Sequence, residues 1–283
     1  MKNVFIIVFC LFSFLLLAQE EGRTVIPLNG EWEFDQTETA FPPTRFTRKI
    51  PVPGLIHLAV PRIKQYELFF QRPEDPVSVG SYNFLAGMDY IPMYNWYRRK
   101  IKIDKNLSDQ QLFLTIKKSQ YVTVVYVNGI LIDRSIECYT PIDVNITSAV
   151  KFGEDNEILI QVGDRARLPS EAAGSTDKEK VRYLPGIWDD VFISATGRLK
   201  VDKVLFLPSL AKKTVTTKML VRSMYPPQME YGARMEDSCR VEFTVKEKKS
   251  GRTVAHHTLE GRAKRDNKTY FELNIPVEEP VAW

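Results

Sequence analysis

The first candidates for chemistry in this chain are its closely spaced carboxyl groups. Two carboxyl groups held near one another can serve as general acid and nucleophile. Asn156-Glu157 opens an alternating run and follows 153–155, Gly-Glu-Asp, which is typical of a turn that leads into a strand. Asp189 and Asp190 are adjacent, and successive strand residues point to opposite faces, so they cannot act together on one substrate. The sequence therefore predicts no catalytic carboxylate pair.

Histidines and cysteines give no site either. His57, His256 and His257 are the only histidines, and none accompanies a nucleophile motif. Cys138 and Cys239 lie in no Cys-x-x-Cys pattern and are predicted to be buried free thiols, with a single long-range disulfide as the alternative. There is no phosphate-binding loop, dinucleotide fingerprint or serine nucleophile elbow. We expect neither a metal nor a cofactor.

The tryptophans are the more informative side chains. Trp32, Trp96 and Trp188 occupy strand-like positions beside apolar neighbours, and core packing is favoured for Trp32 and Trp188. A tryptophan that is exposed beside a carboxylate could instead stack on the C–H face of a sugar. Trp96 and Asp189 are therefore candidate carbohydrate contacts.

Strands must position these side chains, because the hydrophobic period is 2 from Thr24 onward. The segments 112–116 and 122–127 are rich in β-branched and aromatic residues, and Asn128-Gly129 joins the latter to 130–132. Asn-Gly between two such runs is a strong hairpin signal. No window carries a capped amphipathic helix, so the chain is predicted to be all-β.

The strand spacing divides the chain into two predicted domains. Residues 20–197 suit a two-sheet jelly roll, and residues 198–283 suit an immunoglobulin-like β-sandwich that is short by one or two strands. The second domain is expected to hold strands near 201–207, 213–222, 239–247, 252–259 and 269–275. The long irregular stretch from Gly163 to Gly186 is of the kind that tends to be functional.

The N-terminus has the form of a secretory signal peptide. A basic start precedes a run of 14 residues, 4–17, in which only Ser13 is clearly polar and which is too short for a typical membrane span. Cleavage is expected after Ala18 or Gln19, so residues 1–19 are assigned to the leader. The mature protein is expected to be exported, periplasmic or extracellular, with no further membrane span.

Charge patterning argues against nucleic acid as a partner. Lys and Arg number 39 and Asp and Glu 35, for a net charge of +4 spread along the chain. A nucleic-acid binder usually concentrates its basic residues on one face. The hydrophobic content of 44% is that of an ordinary globular protein.

Six motifs follow one another in a fixed order along the chain: Leu28-Asn29-Gly30-Glu31-Trp32-Glu33-Phe34, Ile50-Pro51-Val52-Pro53-Gly54, Trp96-Tyr97-Arg98-Arg99, Val127-Asn128-Gly129, Tyr139-Thr140-Pro141-Ile142-Asp143-Val144 and Gly186-Ile187-Trp188-Asp189-Asp190-Val191. Together they resemble the N-terminal half of glycoside hydrolase family 2, the group of β-galactosidases, β-glucuronidases and β-mannosidases. The likeness covers nearly all of the chain beyond the leader.

The resemblance implies a sugar-binding jelly roll and an immunoglobulin-like domain that precede a catalytic (β/α)₈ barrel. Both catalytic glutamates of the family lie in that barrel, which takes about 250 residues. We therefore expect a non-catalytic, truncated N-terminal region of an exported β-glycosidase, whose partners are a carbohydrate and a barrel in cis or in trans. The alternative is a free-standing carbohydrate-binding or complementation module without enzymatic activity.

The resemblance also points to the stretch that precedes Gly186. In the family this loop approaches the mouth of the barrel, which makes Asp177, Arg182 and Tyr183 further candidate carbohydrate contacts. Galactosidase-like relatives carry a sugar-contacting acid near the position of Lys180. The lysine here argues against galactose as the substrate sugar.

Overall fold

The computed structural model describes residues 23–63, 93–163, 184–224, 236–264, 268–278 and 280. Across these ranges the regular structure is β-strand, apart from three-residue 3₁₀ turns at Ile56–Leu58, Lys105–Leu107 and Thr147–Ala149. The prediction of an all-β protein is confirmed. None of the helical turns in the described ranges is long and apolar enough to cross a membrane.

The first β-sandwich uses the strands up to residue 196. In chain order they are β1 (Arg23–Pro27), β2 (Gly30–Thr37), β3 (Arg48–Val52), β4 (Gly54–Leu55), β5 (Tyr94–Lys102), β6 (Gln111–Ile116), β7 (Ser119–Gln120), β8 (Thr123–Val127), β9 (Ile130–Ser135), β10 (Ile142–Asn145), β11 (Asp155–Val162), β12 (Gly186–Ile187) and β13 (Val191–Thr196).

These strands form a jelly-roll sandwich of antiparallel sheets. A four-stranded sheet has the order β1-β13-β6-β10, and a six-stranded sheet has the order β3-β2-β5-β11-β8-β9. Alternate residues of each strand enter the shared core, as Leu112 and Leu114 do from β6 and Tyr97 does from β5. A small third sheet, β4-β12-β7, is built from short strands of widely separated segments.

The predicted hairpin at Asn128-Gly129 is confirmed and joins β8 to β9. Both turn residues take positive φ, +51° at Asn128 and +80° at Gly129, as the tight turn requires. The side chain of Asn128 also anchors the turn to a neighbouring segment, because its Nδ2 donates to the carbonyl of Ala149 at 2.7 Å. Its Oδ1 accepts the backbone N–H of Glu157 at 3.0 Å.

The second β-sandwich is formed by β14 (Leu199–Ser209), β15 (Thr214–Ser223), β16 (Glu236–Lys246), β17 (Thr253–Lys264) and β18 (Lys268–Pro276). The strands lie where the sequence predicted them, and the predicted domain boundary falls between β13 and β14. β14, β15 and β18 make one sheet, and β16 and β17 make the other. The core between them includes Met219, Val221, Phe243 and Ile275.

Candidate functional site

The described residues on either side of the segment 164–183, the stretch in which the resemblance places sugar contacts, are bound next to the small sheet. At the leading end, the backbone N–H of Tyr121 donates to the carbonyl of Gly163 at 3.1 Å, and the N–H of Gly163 donates to that of Val122 at 3.1 Å. At the trailing end, the N–H of Ile56 donates to the carbonyl of Pro185 at 3.0 Å. Gly163 is thus bound just after β7, and Pro185 is bound just after β4 and just before β12.

Two glycines allow this sheet to form. Gly186 has a φ of +153°, and a Cβ there would lie 2.7 Å from Leu55 Cα. A Cβ on Gly54 would lie 2.4 Å from the carbonyl oxygen of Pro51. Side chains cannot approach backbone atoms so closely, so the pairing of β12 with β4 requires glycine at 186, and the turn from β3 into β4 requires glycine at 54.

The chain leaves the small sheet at Trp188, which is half-buried. The Nζ of Lys118 lies 4.8 Å from the centroid of the indole ring, within the range of a cation–π contact. The same Nζ lies 3.4 Å from Asp189 Oδ2. Trp188 Nε1 is buried, and it has no hydrogen-bond partner among the described residues. We refer to Lys117, Lys118, Trp188, Asp189 and Asp190 as the Trp188 corner.

Asp190 is the structural carboxylate of the corner. It accepts hydrogen bonds from Lys117 Nζ at 2.5 Å and from Asn29 Nδ2 at 2.8 Å. These two bonds lower the pKa of Asp190, and the bond to the carboxylate raises the pKa of Lys117. Asn29 Oδ1 in turn accepts the N–H of Val191 at 3.0 Å, so Asp190 and Asn29 tie the β1–β2 connection to the start of β13.

The two adjacent carboxylates are used separately, as the sequence predicted, although the reason differs. Asp189 and Asp190 precede β13 rather than lie within a strand, so strand alternation does not separate them. They are separated because Asp189 pairs with Lys118 while Asp190 pairs with Lys117. Of the two, Asp189 has the looser contact and remains the better candidate for a ligand.

Trp96 lies elsewhere and is fully buried. Register places it between Asp35 of β2 and Gln161 of β11, on the face of the six-stranded sheet opposite to Tyr97. Its Nε1 donates to Thr37 Oγ1 at 2.7 Å. This corrects the expectation that Trp96 offers its ring to a sugar.

The stretch 38–47 explains this burial, because it makes contacts across the same sheet face. Gln161 Nε2 donates to the carbonyl of Ala40 at 3.3 Å, and the Arg98 guanidinium lies 4.1 Å from the centroid of the Phe46 ring. At its far end, the N–H of Thr47 donates to Asp35 at 2.9 Å.

Asp177, Arg182 and Tyr183 lie outside the described residues, so their contacts with carbohydrate stay predictions. The structure nevertheless fixes the end of their segment. Gln120 Nε2 donates to the carbonyl of Leu184, the residue after Tyr183.

Asn156-Glu157 is a structural dipeptide at the start of β11. Asn156 is buried, and its Oδ1 accepts the N–H of Lys151 at 2.7 Å, while its Nδ2 donates to the Lys151 carbonyl at 2.8 Å. Glu157 has its carboxylate 3.9 Å from Arg98 on the sheet surface. The interpretation of this dipeptide as part of a turn and strand, rather than as a catalytic acid, agrees with these contacts.

The two cysteines of the described ranges form no disulfide with each other. Cys138 and Cys239 are both buried, as the sequence predicted. Within the described ranges, no cluster of three or more His, Cys, Asp or Glu side chains could hold a metal ion.

Sequence reasoning missed Lys117 and Lys118, which supply the cations of the Trp188 corner. Both follow directly after β6, where a pair of surface lysines is an unremarkable feature of a sequence. Their role depends on pairing with residues about seventy positions later, through backbone bonds such as Trp188 N–H to the Lys118 carbonyl at 3.1 Å. Only the position of Trp188 beside two carboxylates could have pointed to this corner.

Comparison with known proteins supports the resemblance seen in the motifs. No family-wide sequence profile matches the chain. A β-galactosidase from Thermoanaerobacter pseudethanolicus is 27% identical over 131 residues, which are 44% of this chain and 17% of that protein. The chain is thus similar to a short part of a much longer enzyme.

The fold matches solved structures over nearly the whole chain. A calcium-binding mutant of β-glucuronidase 2 from Bacteroides uniformis has a TM-score of 0.68 at 17% identity, over 92% of this chain and 29% of that one. A glycosyl hydrolase family 2 member from Bacteroides cellulosilyticus has a TM-score of 0.62 at 16% identity, over 92% and 32%. The likeness in fold is shown, and the chain spans about a third or less of each of these proteins.

Proposed function

We propose that this chain is a non-catalytic region of an exported family 2 β-glycosidase, which shapes the carbohydrate site of a catalytic barrel supplied in cis or in trans. The observation that carries the proposal is the match in fold to family 2 structures across 92% of the chain. The matched region takes in strands of both β-sandwiches of this chain, which makes the match more specific than a likeness to one sandwich would be.

The contacts of the candidate acids support a non-catalytic role. A retaining glycosidase needs two carboxyl groups about 5 Å apart, one of which must exchange protons with the glycosidic oxygen. Glu157 lies on a sheet surface near Arg98, and Asp190 is held by Lys117 and Asn29 in a bond network that keeps it ionised. A carboxylate whose pKa is lowered in this way is a poor proton donor.

The Trp188 corner is the part of the described surface that we assign to carbohydrate contact. Its half-buried indole offers an apolar surface and a buried N–H without a partner within the described ranges. Lys118 and Asp189 add a donor and an acceptor for sugar hydroxyls, and both side chains are partly exposed. Asp177, Arg182 and Tyr183 are kept as further proposed carbohydrate contacts, because they precede Leu184, whose carbonyl accepts a hydrogen bond from Gln120 Nε2.

Titration of the purified chain with 4-nitrophenyl β-glucuronide, β-galactoside and β-mannoside, followed by calorimetry or NMR, tests this assignment. Trp188→Ala and Asp189→Asn are expected to weaken binding of the preferred glycoside at least tenfold. Phe41→Ala is the matched control, because Phe41 is an aromatic side chain that is 75% exposed and lies outside the corner. Equal affinities of Trp188→Ala and wild type would overturn the assignment.

The same titration separates the proposed role from that of a free-standing carbohydrate-binding module. A region that only completes a barrel site is expected to bind these glycosides weakly, in the millimolar range or above. Micromolar affinity of the chain alone, lost in Trp188→Ala, would favour the free-standing module.

Export is the second part of the proposal, and it is supported by the 14-residue apolar run at 4–17 after a basic start. N-terminal sequencing of the protein recovered from its host tests it. The mature chain is expected to begin at Gln19 or Glu20. A product that retains Met1 to Ala18 would contradict export by signal cleavage.

A further inference from the structure

Lys200, at the start of β14, is a buried lysine whose hydrogen-bond acceptor and aromatic contact belong to the other β-sandwich. Its ammonium donates a hydrogen bond to Asp143 of β10. The same Nζ lies 3.5 Å from the centroid of the Phe113 ring, in β6. A residue of the second sandwich thus places its charge on the four-stranded sheet of the first.

The charge is neutralised by an alternating chain of ionic groups. Asp143 also accepts a hydrogen bond from Thr115 Oγ1 at 2.8 Å, which orients its carboxylate. On the other side, Asp202 Oδ1 lies 4.0 Å from Lys200 Nζ, and Asp202 Oδ2 accepts the Nε of Arg222 at 2.9 Å. A buried ammonium is costly unless it is paired and hydrogen-bonded in this way.

The sheet face beneath Lys200 is covered. Leu112 and Leu114 of β6 point into the core of the first sandwich, so Phe113 points out of it. Phe113 is nevertheless only 2% exposed, and Ser194, its cross-strand partner in β13, is 1% exposed. An outward face buried to this degree is an interface, and Lys200 lies over the aromatic ring of that interface.

We infer that Lys200 is a clasp that fixes the second β-sandwich against the four-stranded sheet of the first, so that the two sandwiches move as one body. Its partners in the first sandwich, Asp143 and Phe113, fix its position in two ways. The carboxylate orients the ammonium through a hydrogen bond and attracts it by its charge. The ring shields the ammonium from water, in which an ion pair would contribute little to stability. The inference does not depend on the proposed function.

Lys200→Met tests the clasp, because methionine keeps much of the apolar stem and removes the charge. Lys203→Met is the matched control, since Lys203 lies three residues later in β14 and is exposed. Wild type and Lys203→Met are expected to unfold in one calorimetric transition. Lys200→Met is expected to unfold in two transitions, the lower of which has its midpoint about 4 °C or more below that of wild type.

Small-angle X-ray scattering provides the second readout. The wild-type curve is expected to fit a single compact arrangement, whereas Lys200→Met requires a mixture of arrangements and shows a larger maximum dimension. If Lys200→Met does not fold, Asp143→Asn carries the same test, because asparagine retains a hydrogen-bond acceptor for the ammonium and removes the charge. A single transition and a wild-type scattering curve for the tested variant would overturn the inference.

Discussion

Asn128 Nδ2 donates a hydrogen bond to Asn156 Oδ1 at 2.8 Å, which joins the β8–β9 turn to the start of β11. The backbone of Glu157 completes the link, since its N–H donates to Asn128 Oδ1 and its carbonyl accepts the N–H of Asn128 at 2.9 Å. Two motifs that are separate in the sequence, Asn128-Gly129 and Asn156-Glu157, are thus one structural unit.

Loss of the Asn156 side chain is expected to destabilise this unit strongly. Asn156→Ala removes the bonds to both backbone groups of Lys151 and one of the two bonds that Asn128 Nδ2 donates, and it empties a buried side-chain site, so we expect the unfolding free energy to fall by about 2–4 kcal/mol. Glu157→Gln affects only a long surface ion pair and is expected to change it by less than about 0.5 kcal/mol. Urea unfolding measures both, and equal effects of the two substitutions would contradict the structural interpretation of the dipeptide.

Gly186→Ala is expected to lower the unfolding free energy by at least about 2 kcal/mol, because φ is unfavourable for alanine and the new Cβ would meet the backbone of Leu55. Gly197→Ala is the control, since a Cβ there would have no neighbouring atom within 4 Å. We expect the control to lie within about 0.5 kcal/mol of wild type. Comparable losses in the two variants would show that the close approach of β12 to β4 is not the cause.

Trp96 is expected to matter for stability rather than for ligand binding. Trp96→Ala removes a fully buried indole and should lower the unfolding free energy by about 3–5 kcal/mol. Trp96→Phe keeps an aromatic ring of smaller volume and loses the bond to Thr37, whose loss should cost about 1 kcal/mol beyond the change in packing. Glycoside affinity of the folded Trp96→Phe variant is expected to equal that of wild type, and a tenfold loss would restore Trp96 as a contact.

Ionised Asp35 is expected to make a contribution to the unfolding free energy that is lost in acid. Burial alone would raise the pKa of Asp35, but hydrogen bonds from Thr47 and Gln36 and the charge of Arg48 outweigh it and lower the pKa. A lowered native pKa stabilises the fold above the unfolded value of about 3.9, and this stabilisation is lost as the pH falls through the native pKa.

Asp35→Asn isolates this contribution. The stability difference between wild type and Asp35→Asn is expected to be constant above about pH 5 and to shrink on acidification below about pH 4. Urea unfolding between pH 6 and pH 3 measures it. A difference that grows as the pH falls would mean that Asp35 does not have a lowered pKa in the native protein.

Local sequence signals were sufficient to locate the strands and the hairpin. They were insufficient to predict which side chains are exposed and which distant residues pair. Alternation located all five strands of the second sandwich, and Asn128-Gly129 located the hairpin, because both are set by neighbouring residues. The burial of Trp96 depends on the stretch 38–47, which crosses a sheet face from a distant part of the sequence. The pairing of Lys118 with Asp189 likewise depends on how the small sheet brings separate segments together.

The central claim, a non-catalytic role, is tested most directly by assaying the purified chain for hydrolysis of 4-nitrophenyl β-glucuronide, β-galactoside and β-mannoside. The prediction is no release of nitrophenol above the buffer control, for wild type and Glu157→Gln alike. Turnover that copurifies with the chain and is abolished by Glu157→Gln would contradict the account, because it would make a sheet-surface carboxylate beside Arg98 a catalytic residue.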